Sequence, residues 1–141
     1  MSGKAERGAA PVRLFVYGTL RSGRAPASLA WLERLPRRPA RVAGALLDLG
    51  AYPGFVPGAS SGERVVGELL EVAAARLPAL DRYEGHDPED PAGSLFVREP
   101  AEAEVAGGER VACVLYRYAG DPEGHARVPA GDWAGRRRKG G

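Results

Sequence analysis

The sequence predicts an α+β domain in which strands predominate, with two short helices laid against a mixed sheet or small barrel. Three observations predict it. Twenty Gly and twelve Pro in 141 residues cut the chain into short elements joined by turns. The apolar runs are of strand length and follow one another without the regular intervening helices of a doubly wound parallel sheet. Only two stretches carry an apolar face at helical spacing, and each is closed by Pro or Gly.

Along the chain, Arg13-Leu14-Phe15-Val16-Tyr17 reads as a first strand, short and apolar enough to be central, and it stops at Gly18. Residues 25–35 predict a helix whose apolar surface is Leu29, Trp31 and Leu32, ended by Pro36 and Pro39. A second strand is expected over 40–49, closed by the turn Gly50-Ala51-Tyr52-Pro53-Gly54, and a third over 64–72. The helix over 77–84 follows, ended by Gly85; residues 86–92, rich in acids and prolines, form a loop. Two strands, 94–105 and 109–118, pair as a hairpin across Gly107-Gly108, and the chain from Gly120 onward is irregular.

Composition narrows the function. The length fits one domain with a single core, and 44% hydrophobic with 27% charged residues is ordinary for a soluble protein. The net charge of +2 is small, and much of the basic excess lies in Arg136-Arg137-Arg138-Lys139, with no aromatic or basic stripe to join it. Nucleic acid is therefore not an expected partner. A lone Cys113, inside an apolar run, rules out an internal disulfide and a cysteine zinc site and reads as core. With only His86 and His125 besides, nothing has metal-ligand spacing, so neither metal nor cofactor is expected. The first residues lack a signal-peptide core, and no run approaches the ~20 apolar residues of a membrane span; a cytoplasmic protein without membrane contact is the expectation.

Chemistry gathers at two places. Leu77, Leu80 and Glu84 follow i, i+3, i+7 spacing, so one helical face carries the leucines inward and a carboxylate with them. Burial, and a position at the negative end of the helix dipole, both push the Glu84 pKa upward, towards the range where a carboxyl group shuttles protons. The second place is Tyr17-Gly18-Thr19-Leu20. A strand ending in Gly can turn abruptly, letting successive backbone amides of Gly18, Thr19 and Leu20 converge on an anion.

Together these segments resemble the γ-glutamylcyclotransferase, or AIG2-like, family. Its first strand ends in Tyr-Gly-Ser/Thr-Leu, matched by Tyr17-Gly18-Thr19-Leu20, and its Leu-Asp-x-Tyr-Glu-Gly segment is matched by Leu80-Asp81-Arg82-Tyr83-Glu84-Gly85. Gly50-Ala51-Tyr52-Pro53-Gly54, Phe96-Val97-Arg98 and Gly131-Asp132-Trp133 extend the likeness over nearly the whole domain. The resemblance implies a small mixed β-barrel flanked by short helices, with a cavity at one end. It implies Glu84 as general acid/base and Tyr17, Gly18, Thr19 and Leu20 as the substrate-binding loop. The implied reaction closes the γ-glutamyl group of a γ-glutamyl amino acid or γ-glutamylamine to 5-oxoproline and frees the amine. The alternative is a non-catalytic small-ligand-binding domain that keeps barrel and pocket. The expected layout is a flexible tail over 1–12, the γ-glutamylcyclotransferase-like domain over 13–133 and a basic tail over 134–141.

Around these, Tyr17 is equally placed to be pocket or core, and so are Tyr116 and Tyr118. Asp81 is expected at the surface or stabilising the helix, offset by Arg76 and Arg82. Arg98 is expected in a structural ion pair, Asp132 and Trp133 tying down the chain end, and both histidines in solvent. One departure stands out: family members acting on γ-glutamyl amino acids often carry a tyrosine shortly before the final glycine motif. Here that stretch is Glu123-Gly124-His125-Ala126.

Overall fold

A computed structural model describes residues 11–18, 20–21, 25–57 and 62–133. Seven strands form one sheet: β1 (Val12–Val16), β2 (Arg37–Ala43), β3 (Ala45–Asp48), β4 (Pro53–Val56), β5 (Arg64–Val72), β6 (Phe96–Val105) and β7 (Arg110–Tyr118). The order is β1-β5-β2-β6-β7-β4-β3, and β1 also pairs with β7. That extra pairing, parallel at Leu14↔Val114, closes β1, β5, β2, β6 and β7 into a mixed barrel. The β3–β4 hairpin extends from β7, to which β4 runs parallel at Phe55↔Arg117.

Side-chain alternation sorts the core into two bodies. Phe15, Val65, Leu69, Val111, Cys113 and Leu115 point into the barrel and pack together. Leu14, Val16, Leu70, Val72 and Tyr116 point the other way, into a second cluster with Leu29, Leu32 and Leu80. From Leu14 to Val16, β1 is therefore apolar on both faces, while Arg13 near its start stays exposed. The far half of β6 is covered on one face only, so Ala103 and Val105 are buried while Glu102 is exposed; at its start Phe96 joins the second cluster from the other face. Gly67 leaves room for the Phe15 ring inside the barrel; a Cβ there would also strike the Val16 carbonyl oxygen.

The cover over β1, β5 and β7 is helical. Ala27–Arg34 is a 3-10 segment kinked at Leu29, shorter and tighter than the expected helix, and it buries Leu29 and Leu32. The α-helix α1 (Leu77–Glu84) has Pro78 in its first turn and ends on Gly85 in the left-handed conformation, φ 76°. The amides of Gly85 and His86 then cap the carbonyls of Arg82 and Asp81.

Some boundaries differ from expectation for physical reasons. The second strand is two, broken at Gly44, where a Cβ would lie 2.5 Å from the Phe55 ring. β2 begins already at Arg37: Pro39 pairs with Glu68 of β5, and the ladder to β6 starts only at Ala40, so no donor is missed. Pro53 and Gly54, expected as turn, open β4, while the turn proper is closed by the Leu49 amide on the Tyr52 carbonyl at 3.0 Å. Beyond Gly120 the chain is not wholly irregular: the Val128 amide reaches the Leu46 carbonyl and Arg127 bridges to Leu47, so residues 126–128 run beside β3. Trp133 then enters the barrel cluster. The expected tails fall almost wholly outside the described residues, although Val12 already belongs to β1.

Candidate active site

A cavity of about 250 Å³ opens where the end of β1, the turn before β4, α1 and the start of β6 meet. Tyr17, Gly18 and Leu20 border it from one side and Glu84 from another, so the two chemical segments of the sequence converge on one space. Thr19 lies outside the described residues.

Gly18 is at the right place for a different reason than the one expected. It does not adopt a left-handed conformation. Glycine is required there by close approach: a Cβ would sit 2.7 Å from the Pro53 ring, so the loop lies directly against the turn that opens β4. The loop closes on itself through the Arg21 amide to the Gly18 carbonyl at 3.1 Å. Arg21 pairs with Asp132 at 2.8 Å, and Arg37 reaches the Leu20 carbonyl as well as Glu68. Two arginines thus tie the loop to the rest of the domain.

Tyr17 is both wall and framework. Its hydroxyl donates to the Tyr116 carbonyl at 2.6 Å and accepts the Phe55 amide at 3.2 Å, locking β1 to β7 and β4 while the ring faces the cavity. Burial raises its pKa strongly, the neighbouring Glu84 charge adds to that, and the Phe55 hydrogen bond opposes it. The phenol stays protonated, as its donor role requires.

Glu84 is half-buried, and among the described residues no hydrogen bond or ion pair engages its carboxylate. Burial pushes its pKa up to about 7. It is the single charged side chain among the described cavity residues, facing a wall otherwise of tyrosine, phenylalanine, leucine, valine, proline and glycine.

Asp81 corrects the expectation of a surface acid. It is 5% exposed and accepts three hydrogen bonds: Arg98 Nε at 3.0 Å, Arg98 Nη2 at 3.1 Å and the Tyr116 hydroxyl at 2.6 Å. The bidentate guanidinium offsets its charge, a task expected of Arg76 and Arg82. Arg76 instead lies over the Trp31 ring, 4.4 Å from its centroid. The Tyr116 pKa is raised, by burial first and by its bond to Asp81 next. A signal for Asp81 existed in the sequence, since Leu77 to Asp81 is an i, i+4 step onto the leucine face.

Neither histidine is fully solvated. His86 Nδ1 accepts the Arg98 amide at 3.4 Å and its ring meets Tyr116 edge-on, while His125 stands edge-on to Tyr118 at 5.9 Å. Tyr116 borders the cavity; Tyr118 stands behind it, against Phe96. Tyr52, Pro53, Tyr83 and Leu95 join the wall; the first three were read from sequence only as motif residues and not as cavity residues, because three separate segments bring them there.

Known proteins share this fold and this family sequence. A solved structure of YkqA from Bacillus subtilis superposes with a TM-score of 0.69 at 20% identity, covering 92% of this chain, which spans only 42% of that one. An AIG2-like protein from Mus musculus gives a TM-score of 0.66 at 23% identity, over 85% of this chain and 87% of that one. At those identities the likeness is one of fold. In sequence, the gamma-L-glutamyl-butirosin B gamma-glutamyl cyclotransferase of Niallia circulans is 30% identical over 121 residues, 85% of this chain and 74% of that enzyme. The family model described as gamma-glutamyl cyclotransferase, AIG2-like, matches residues 14–135, a span that takes in both segments bordering the cavity. The chain belongs to that family, and its membership supports an activity of the γ-glutamyl cyclotransferase kind.

Proposed function

We propose that the protein cyclises the γ-glutamyl group of a γ-glutamyl amino acid or γ-glutamylamine, releasing 5-oxoproline and the free amine, with Glu84 as general acid/base. The observation that carries this reading is the Glu84 carboxylate itself: half-buried, raised to about 7, and open to a cavity it shares with the loop after β1. A base poised near neutrality takes a proton from an ammonium group and returns it to a leaving amine at comparable cost.

In this reading Glu84 accepts a proton from the substrate's α-ammonium group. The freed nitrogen attacks the γ-carbonyl carbon, a five-membered ring forms, and the carbonyl bond to the leaving nitrogen breaks. That nitrogen departs with the proton Glu84 had taken; the ring nitrogen then gives up its own extra proton, which passes through the regenerated carboxylate to the released amine, so the lactam is neutral, the amine leaves as its ammonium ion and the carboxylate is restored. No protein nucleophile enters. Because nucleophile and electrophile belong to one molecule, holding the folded conformer supplies much of the rate. The substrate carboxylate is assigned to the backbone amides of Gly18, Thr19 and Leu20, away from Glu84, since two carboxylates in one apolar pocket would repel. The relative whose name refers to γ-glutamyl-butirosin B supports leaving groups larger than an amino acid.

The test is 5-oxoproline release from a panel of γ-glutamyl amino acids and γ-glutamylamines by the native protein and by Glu84→Gln. We expect turnover of at least one compound and a loss of about 10²- to 10⁴-fold in the variant, with its thermal transition retained. Turnover undiminished in the folded variant removes Glu84 from the mechanism. Compounds that bind without any release would leave the cavity as a ligand-binding site.

A further inference from the structure

The cavity's mouth has a chemistry that Glu84 and the loop do not explain. Tyr52, Tyr83 and Leu95 are the large hydrophobic side chains most exposed among the described residues, at 36%, 41% and 46%. All three border this one cavity, although they come from the turn before β4, from α1 and from the approach to β6. Isolated exposed apolar residues are common on any surface; three converging from separate elements on one opening are not.

Two sides of this rim are held in place. The Tyr52 ring lies 6.0 Å from Phe96, which stands 5.9 Å from Tyr118, and the Tyr52 carbonyl is tied to the Leu49 amide. Leu95 is fixed through both backbone groups, its amide to the Gly85 carbonyl and its carbonyl to the Ala119 amide. Tyr83 precedes Glu84 on α1, so the rim and the carboxylate move as one. An apolar surface held this way binds a flat or apolar group with little ordering cost.

Charge points in the same direction. Glu84 is the one charged group among the described cavity residues, and Arg98 is committed to Asp81 through Nε and Nη2. Among the described residues that border the cavity, a carboxylate on the leaving half of the substrate would meet an acid and no cation.

We infer that the leaving half of the substrate is a neutral or cationic amine that carries an apolar or aromatic ring, and that Tyr52, Tyr83 and Leu95 select it. This rests on the cyclisation reading above. Tyrosine faces and edges suit rings and, where the amine bears a second cation, hold it against the ring face.

The experiment compares γ-glutamyl-phenethylamide, γ-glutamyl-phenylalanine, which adds only a carboxylate, and γ-glutamyl-methylamide, which lacks the ring. kcat/KM should favour the phenethylamide over γ-glutamyl-phenylalanine by about tenfold or more. Over the methylamide it should win by about three- to tenfold. Tyr83→Ala and Tyr52→Ala should each narrow the phenethylamide-to-methylamide ratio, and Tyr83→Phe, which keeps the ring, should preserve it. Equal or better use of γ-glutamyl-phenylalanine, or a ratio that both alanine variants leave unmoved, overturns the inference. Calorimetric binding of the same compounds to Glu84→Gln separates it from the cyclisation reading. If nothing is turned over yet the phenethylamide binds more tightly than its carboxylated partner, cyclisation fails and the ring site stands. If binding shows no such preference either, the ring site falls as well.

Discussion

Asp81 and Glu84 stand on the same face of α1, three residues apart, and their surroundings treat them in opposite ways. Asp81 is buried and saturated, with a bidentate arginine on one side and a tyrosine hydroxyl on another. Glu84 is drawn inward less deeply on the same face, and meets the cavity instead of a partner among the described residues. Burial with compensation gives a fixed charge that organises structure, and burial without it gives a group whose proton is readily exchanged. In the proposed mechanism, what separates the structural from the chemical carboxylate is what lies opposite each of them: a guanidinium and a hydroxyl for Asp81, an open cavity for Glu84.

The comparison can be broken most forcefully from the Asp81 side. Arg98→Met removes the compensating charge and leaves the buried carboxylate with the Tyr116 hydroxyl alone, which should cost about 3–5 kcal/mol in urea unfolding. A loss below ~1 kcal/mol would mean that Asp81 finds water or another donor, and the contrast with Glu84 would collapse.

The Glu84 side should behave in the reverse sense. Its folded-state pKa of about 7 lies above the ordinary 4.5, so the folded chain holds this proton more tightly than the unfolded one. The resulting contribution to stability is fully present below pH 4.5 and is lost as pH rises through the folded value near 7. Between pH 8 and pH 5 the native protein should therefore gain on the order of 2 kcal/mol relative to Glu84→Gln, and the variant should be the more stable of the two at pH 8. Parallel unfolding curves for the two proteins across pH would show the carboxylate to be freely solvated. The same proton should set the acid limb of kcat/KM near pH 7, where the base is lost.

A third pair sets the scale from the surface. Arg110 and Glu102 make a 3.2 Å ion pair with both side chains more than half exposed, 62% and 61%. Glu102→Gln should change stability by less than about 0.5 kcal/mol, and a larger loss would show that the buried pair owes less to its burial than argued.

Much of this arrangement was legible where signals are local. The limits of β5 and of α1 follow from apolar spacing and from Gly85, and the β6–β7 hairpin from Gly107-Gly108, both of which adopt positive φ. What escaped depends on partners distant in sequence. Asp81 was assigned neighbours on its own helix, while its actual partners are 17 and 35 residues away. β4 is four residues opened by Pro-Gly, which as a string is a turn and becomes a strand only between β3 and β7. Gly18 was read as a conformational need, and the Pro53 ring that requires it belongs to another segment. For the cavity, Tyr52 and Tyr83 lay inside motifs visible in the sequence, but their meeting with Leu95 at one rim was not, because the three share no periodicity.

The closure of the barrel has a consequence for how the protein is made. β1 emerges first from the ribosome, yet its antiparallel partner begins at Arg64 and its parallel partner at Arg110. Tyr17, whose hydroxyl accepts the Phe55 amide, lacks its other partner, the Tyr116 carbonyl, until nearly the whole domain has been synthesised. Such long-range pairing is slow to nucleate and leaves an apolar strand exposed meanwhile. The leading strand, with Leu14, Phe15 and Val16, is thus the segment a nascent-chain chaperone would meet longest.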